Sequence, residues 1–98
     1  MSERGEAKRI GAKLHKNSGR NNTKGDATWN NYILDFKEFS RSFSITREVW
    51  AKVVTDTLKV DRSKSPAICL ALGDSPKVRL AIIEWSEFER LVENDNNP

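Results

Sequence analysis

Apolar positions change their spacing several times along the chain, and each change predicts an element. Glu3, Ala7 and Ile10 recur at helical spacing, with Gly11 where a helix end favours glycine, which predicts a helix over 2–10. That register puts the carboxylate of Glu3 on the stripe expected to face inward. Residues 12–16 can extend, and NSGRNNTKGD is loop material. Further on, Tyr32, Leu34 and Phe36 alternate with Ile33, Asp35 and Lys37. This period of two predicts a strand, and the Asn30-Asn31 pair before it predicts a hairpin with KGDAT on one arm and YILDFKEF on the other. Period two also places Asp35 and Lys37 on one face.

Thr46 is a natural N-cap, Ile45 and Trp50 are spaced as a hydrophobic staple, and Trp50, Val53, Val54 and Leu58 form one stripe, so a helix is expected from Thr46 to about Lys59. After the connector VDRSKSP, the run AICLAL is almost continuously apolar, as in a strand covered on both faces, and is the expected central strand. GDSPK reads as a turn and VRLAIIEW as a further strand. Ser86 and Glu89 are spaced as a capping box opening a last helix with Phe88, Leu91 and Val92, and the tail 94–98 should fray. The order is helix, three strands, helix, two strands, helix. It predicts an α/β fold, a mixed β-sheet flanked by helices, with a right-handed parallel crossover around the Thr46 helix.

Ninety-eight residues hold one domain with one core and leave no room for separate binding and catalytic modules, so 1–98 is expected to be a single unit. No apolar run is long enough for a bilayer span or a signal peptide, which predicts an intracellular protein, in the cytoplasm of its host cell, with no membrane partner. One cysteine, Cys69 in AICLAL, excludes a disulfide framework or a cysteine-built zinc cluster.

Charge sharpens the picture. Residues 1–25 carry seven Lys or Arg against Glu3 and Glu6, whereas residues 84–95 carry five acids against Arg90. A basic front end attracts polyanions, nucleic acid above all; the bland alternative is a solvated basic face. In KGDATWNNYILDFKEF, two acids on adjacent hairpin arms, Asp26 and Asp35, can meet at one hard cation, and Lys37 projects from the same face as Asp35. Hydrolysis of a phosphodiester calls for this set: magnesium prefers carboxylate oxygens plus water, and an ammonium group reaches the phosphate. The backbone carbonyl of Phe36 can add a ligand, and Glu3 or Glu6 a third carboxylate. The competing reading makes Asp26 a turn residue and pairs Asp35 with Lys37 on an exposed sheet face.

The run RIGAKLHKNSGRNNTKGDATWNNYILDFKEFSRSFSI resembles the small phage-encoded Holliday junction resolvases of the PD-(D/E)XK nuclease superfamily. The shared features are a first helix bearing a glutamate, a Ser-Gly loop, an aspartate on the first hairpin arm, an acid-x-lysine on the second, and a serine-bearing stretch before the next helix. The resemblance covers roughly residues 2–85, most specifically 17–44. It implies a restriction-endonuclease-like core and a magnesium-dependent endonuclease, with manganese as a substitute. Branched double-stranded DNA would be the substrate and a homodimer the acting form. Asp26 and Asp35 would be metal ligands, Lys37 would orient the attacking water or stabilise the charged transition state, and Glu3, with Glu6 as the fallback, would be the helix glutamate. Ser18 and Gly19 match the loop expected to touch DNA, and Ser42 or Ser44 the serine stretch. The chain departs from the pattern at Gly25, where the superfamily has proline, and at Asp35, where glutamate is commoner. Related nickases or flap nucleases, and a non-catalytic basic binding protein, are the alternatives.

Around this set, His15, Lys16, Arg20 and Lys24 read as an arm that contacts phosphates. Arg41, Arg47 and Lys52 read as surface charges, some of which can reach the duplex. Trp50 and Trp85 are expected in the core, and Trp29 near a polar hairpin tip.

Overall fold

The computed structural model describes residues 8–14 and 27–96. Residues 8–10 are helical and close on Gly11, whose φ of +79° is the left-handed conformation glycine adopts freely; its N–H donates to the Lys8 carbonyl. The rest of the first predicted helix lies outside the described residues. Then follow β1 (Lys13–Leu14), β2 (Ala27–Trp29), β3 (Tyr32–Phe39), α1 (Arg47–Val60), β4 (Ser65–Leu72), β5 (Val78–Ile82) and α2 (Trp85–Asn96).

The strands form one mixed sheet in the order β1-β2-β3-β4-β5. Trp29 pairs with Tyr32 across the two-residue turn, where Asn30 takes a φ of 52°, a conformation asparagine tolerates better than most residues. β3 and β4 run parallel, from Tyr32↔Ser65 to Phe39↔Leu72, and the other neighbouring strands are antiparallel. The expected α/β architecture is therefore present, with β3 rather than AICLAL as the middle strand and β4 beside it.

Alternation splits the core between two faces. Ala27, Leu34, Phe36 and Ala67 form one buried cluster, packed by Ile10, Ala12, Tyr32, Cys69 and Ile83. Val53, Ile68 and Leu70 form the other, under Trp50 and Phe43. Ile68 is fully buried, so Ile68→Ala should destabilise by about 2–5 kcal/mol.

α1 begins as expected: Thr46 Oγ1 accepts the Val49 N–H at 3.1 Å. Its inward face differs from the expected stripe. Val53 and Thr57 are buried while Leu58 is 47% exposed. At about 100° per residue, Trp50 and Thr57 lie within about 60° of Val53 and Leu58 about 140° away. The helix ends at Asp61, whose side chain accepts from the N–H and hydroxyl of Ser63 at 2.9 and 2.6 Å and is held below the usual carboxylate range by them. Beyond it, Lys64 Nζ donates to the Asn30 carbonyl at 2.9 Å and the Ser65 N–H to that of Asn31 at 2.8 Å, which ties the start of β4 to the hairpin tip.

α2 starts two residues earlier than the Ser86 capping box predicts, because the Glu84 carbonyl already accepts the N–H groups of Glu87 and Phe88. It also continues to Asn96, into the tail expected to fray. Glu87 ties it to the sheet: the carboxylate accepts the Tyr32 hydroxyl and is gripped by two nitrogens of Arg90, at 3.0 and 2.6 Å. With Glu87 turned inward, Trp85 points away; it is 72% exposed against Phe88 rather than in the core. Trp50 does pack on the core, and Trp29 is 40% exposed. No helix among the described residues is long and apolar enough to cross a membrane.

Arg90 first, then Tyr32, hold the Glu87 carboxyl below its ordinary value of 4.5, while burial and the Glu87 contact raise Tyr32. A lowered folded value means that this tie stabilises fully above pH 4.5 and is lost as pH falls through the folded value. Urea titrations at descending pH should show the native protein losing stability below pH 4.5 more steeply than Glu87→Gln; parallel losses would remove Glu87 from the acid response.

Candidate active site

β3 positions the site. The ladder that turns Leu34 and Phe36 into one core turns Asp35 and Lys37 to the opposite face, where Asp35 stands beside Ile68 and Lys37 beside Leu70. Their charged ends are 3.5 Å apart, with the lysine side chain 26% and the aspartate 22% exposed. This is a polar opening in an otherwise apolar face. An ion pair there is partly desolvated yet open to a ligand from solvent.

Neighbouring elements frame the pair. The chain leaving β3 folds Phe43 back onto Phe39, ring centroids 5.2 Å apart and stacked, and the Lys37 ammonium lies 5.9 Å from the Phe43 ring centre. Ser42 and Ser44, both exposed, flank that ring in sequence. From α1, Lys52 binds Asp56 at 2.9 Å, and Asp56 first, with Asp35 further off, raises the Lys52 ammonium above its ordinary range. Lys52 is the surface charge expected from the sequence, its side chain 73% exposed, whereas its pairing with Asp56 and the Phe43 ring beside Lys37 carried no expectation. The available signal was the i, i+4 spacing of Lys52 and Asp56 beside the buried Val53 and Thr57.

Of the expected site residues, Asp35 and Lys37 stand together on β3, while Ser42 and Ser44 lie exposed in the segment that follows it, on either side of Phe43. The side chain of Phe36 is buried on the opposite face, so only its backbone carbonyl is left for a ligand role. Asp26, Glu3, Glu6, His15, Lys16, Ser18, Gly19, Arg20 and Lys24 lie outside the described residues. Ala27, which follows Asp26 in the chain, pairs with Leu34, which precedes Asp35. Among the described residues no three His, Cys, Asp or Glu side chains form a metal-holding group. What Asp35 offers a cation is a pair of hard carboxylate oxygens, partly exposed, the donor type magnesium or manganese takes with water filling the remaining positions.

Comparison with known protein families, curated proteins and solved structures finds no match to this chain.

The pair does little for folding, since a partly exposed ion pair is worth at most about 1 kcal/mol. Asp35→Asn should therefore shift the unfolding free energy by less than about 1 kcal/mol in urea titration. A loss of the size expected for Ile68→Ala would assign Asp35 to the scaffold instead.

Proposed function

We propose that the protein is a metal-dependent endonuclease with a restriction-endonuclease-like core that hydrolyses phosphodiesters in branched double-stranded DNA, four-way junctions foremost. The observation that carries this reading is the acid-x-lysine pair, Asp35 and Lys37, side by side and accessible on the strand whose hairpin partner begins one residue after Asp26. The order of strands and helices and the parallel β3–β4 pair agree with such a core.

In this reading Asp26 and Asp35, with the Phe36 carbonyl and Glu3 or Glu6, hold a divalent cation. When bound, the cation neutralises charge on the phosphate and acidifies a water. Lys37 lies close enough to Asp35 to orient that water and to receive the growing negative charge on the phosphoryl oxygens. The water oxygen bonds to phosphorus as the ester P–O bond opposite breaks, and the leaving oxygen takes up a proton. Ser42, Ser44 and the basic residues from His15 to Lys24, with Ser18 and Gly19, contact the DNA backbone, so recognition rests on phosphate positions and junction shape rather than on base edges. Resolving a four-way junction takes two symmetric cuts, hence a two-fold dimer.

One observation favours a second reading. Asp35 and Lys37 satisfy each other as an ion pair, as they would in a basic protein that binds nucleic acid without cutting it.

Incubation with a labelled four-way junction, a flap and matching linear duplex, with magnesium, manganese or chelator, decides among these. Paired nicks near the branch point are expected, dependent on the cation and lowered more than about a hundredfold in Asp35→Asn with junction binding kept. Cuts confined to flap or duplex would identify a related nickase or flap nuclease. Binding without cleavage under every divalent cation would leave the non-catalytic reading.

A further inference from the structure

The end of β3 carries an aromatic pair that the chemistry proposed above does not use. Alternation puts Phe39 on the same face as Asp35 and Lys37, and two residues of strand span about 6–7 Å, so Phe39 stands one step beyond the lysine. Phe43 folds back to stack on it, ring centroids 5.2 Å and planes 28° apart, with the Lys37 ammonium 5.9 Å from the Phe43 ring centre. The two rings differ in what holds them. Phe43 is half-buried against the cluster of Val53, Ile68 and Leu70, whereas Phe39 is 42% exposed. The core fixes one ring, and that ring steadies the other, which lowers the side-chain entropy Phe39 has to lose when a ligand settles on it.

The surroundings of the rings select the occupant. Residues 39–47, FSRSFSITR, carry Arg41 and Arg47, three serines and no acid, and both arginines and all three serines are exposed. A guanidinium and hydroxyls meet phosphate oxygens, and an aromatic ring meets the flat face of a base, so this mixture suits a nucleic acid strand better than an apolar protein surface. Inside a duplex the neighbouring pairs cover both faces of each base, and only a base out of the stack can lie on Phe39. We infer that Phe39, held by Phe43, is a stacking surface for an unpaired nucleobase beside the phosphate at Asp35 and Lys37, so that the substrates are strands whose pairing is open at that phosphate. The inference rests on the nuclease reading for the place of the phosphate and adds a reason for selecting branched DNA. Taking a base out of a continuous duplex is costly and at a branch point or flap is cheap, while stacking on an aromatic side chain tightens binding about 5- to 150-fold. Phe39 therefore selects substrate by the face of a base, whatever its sequence, and takes no part in breaking the bond.

An abasic-site scan tests this by binding alone. A fluorescein-labelled four-way junction, in chelator so that nothing is cut, is titrated with the full chain while bases near the branch point are removed at one pair of two-fold-related positions at a time. The native protein is expected to lose at least about fivefold in affinity at one position and little at its neighbours. Phe39→Leu, which keeps the charge and an apolar side chain, should be indifferent to the same removal, and Phe39→Tyr, which keeps the ring, should respond as the native protein does. Unchanged circular dichroism would show the variants folded. A second measurement needs no variant: 5-iodouracil at the sensitive position, irradiated with the native protein, should crosslink within residues 39–43. A uniform response to base removal, equal sensitivity in Phe39→Leu, or a crosslink elsewhere overturns the stacking surface. With magnesium added, a base-specific response that Phe39→Leu abolishes, but no cleavage, overturns the nuclease reading and keeps the stacking surface; paired nicks that Phe39→Leu makes as the native protein does, with the same abasic profile, do the reverse. A junction left unbound at micromolar protein overturns both.

Discussion

The parallel pairing of β3 with β4 is the constraint on which the rest depends. Over eight residues it fixes which side chains of β3 meet which face, and a slip by one residue would turn Leu34 and Phe36 to the Asp35 side and bury the two charges in the opposite cluster. The register is held at both ends. At its start, Lys64 and Ser65 donate to the hairpin-tip carbonyls; at its end, the Gly73 N–H donates to the Phe39 carbonyl at 3.0 Å, with Gly73 at φ +91°. α1 follows from this frame, because Val53 and Thr57 have a flat apolar strip to cover only when Ile68 and Leu70 face it.

On that frame the chain separates its charges by role. Lys77 pairs with Glu38 at 2.8 Å on the opposite face near the end of β3, holding that carboxyl below its usual range, and Glu87 pairs with Arg90 beneath α2. Asp35 and Lys37 differ in their setting: they break the apolar face that α1 covers, where a structural account would call for a hydrophobic pair. A strand that keeps two ionised groups at such positions, under an aromatic ring and beside a second lysine on a helix, has the composition of a site for a charged ligand.

Much of this was legible in the sequence where the signal is local. The Asn30-Asn31 turn, the period of two through YILDFKEF, the Thr46 cap and the Gly11 stop each depend on neighbours a few residues away, and each element appears where those signals put it. The failures are tertiary. Leu58 and Thr57 compete for one face of α1, and the polar residue is buried because the sheet lies under Val53 and Trp50. Trp85 looked like core by size and sequence context, but Glu87 rather than any apolar residue sets the rotation of α2. At the site, Asp35 and Lys37 follow from alternation alone. Phe43 reaches Lys37 only through how the connecting segment folds back, which no short-range pattern records.

Manganese titration of the isotopically labelled protein without DNA decides whether the Asp35 face of β3 holds a divalent cation, as proposed. The paramagnetic ion should broaden the amide resonances around Asp35 and Lys37 at the lowest concentrations, together with Asp26, and Asp35→Asn should remove the effect. First broadening at the acidic residues of α2, or none at β3 up to millimolar metal, would contradict a cation site there.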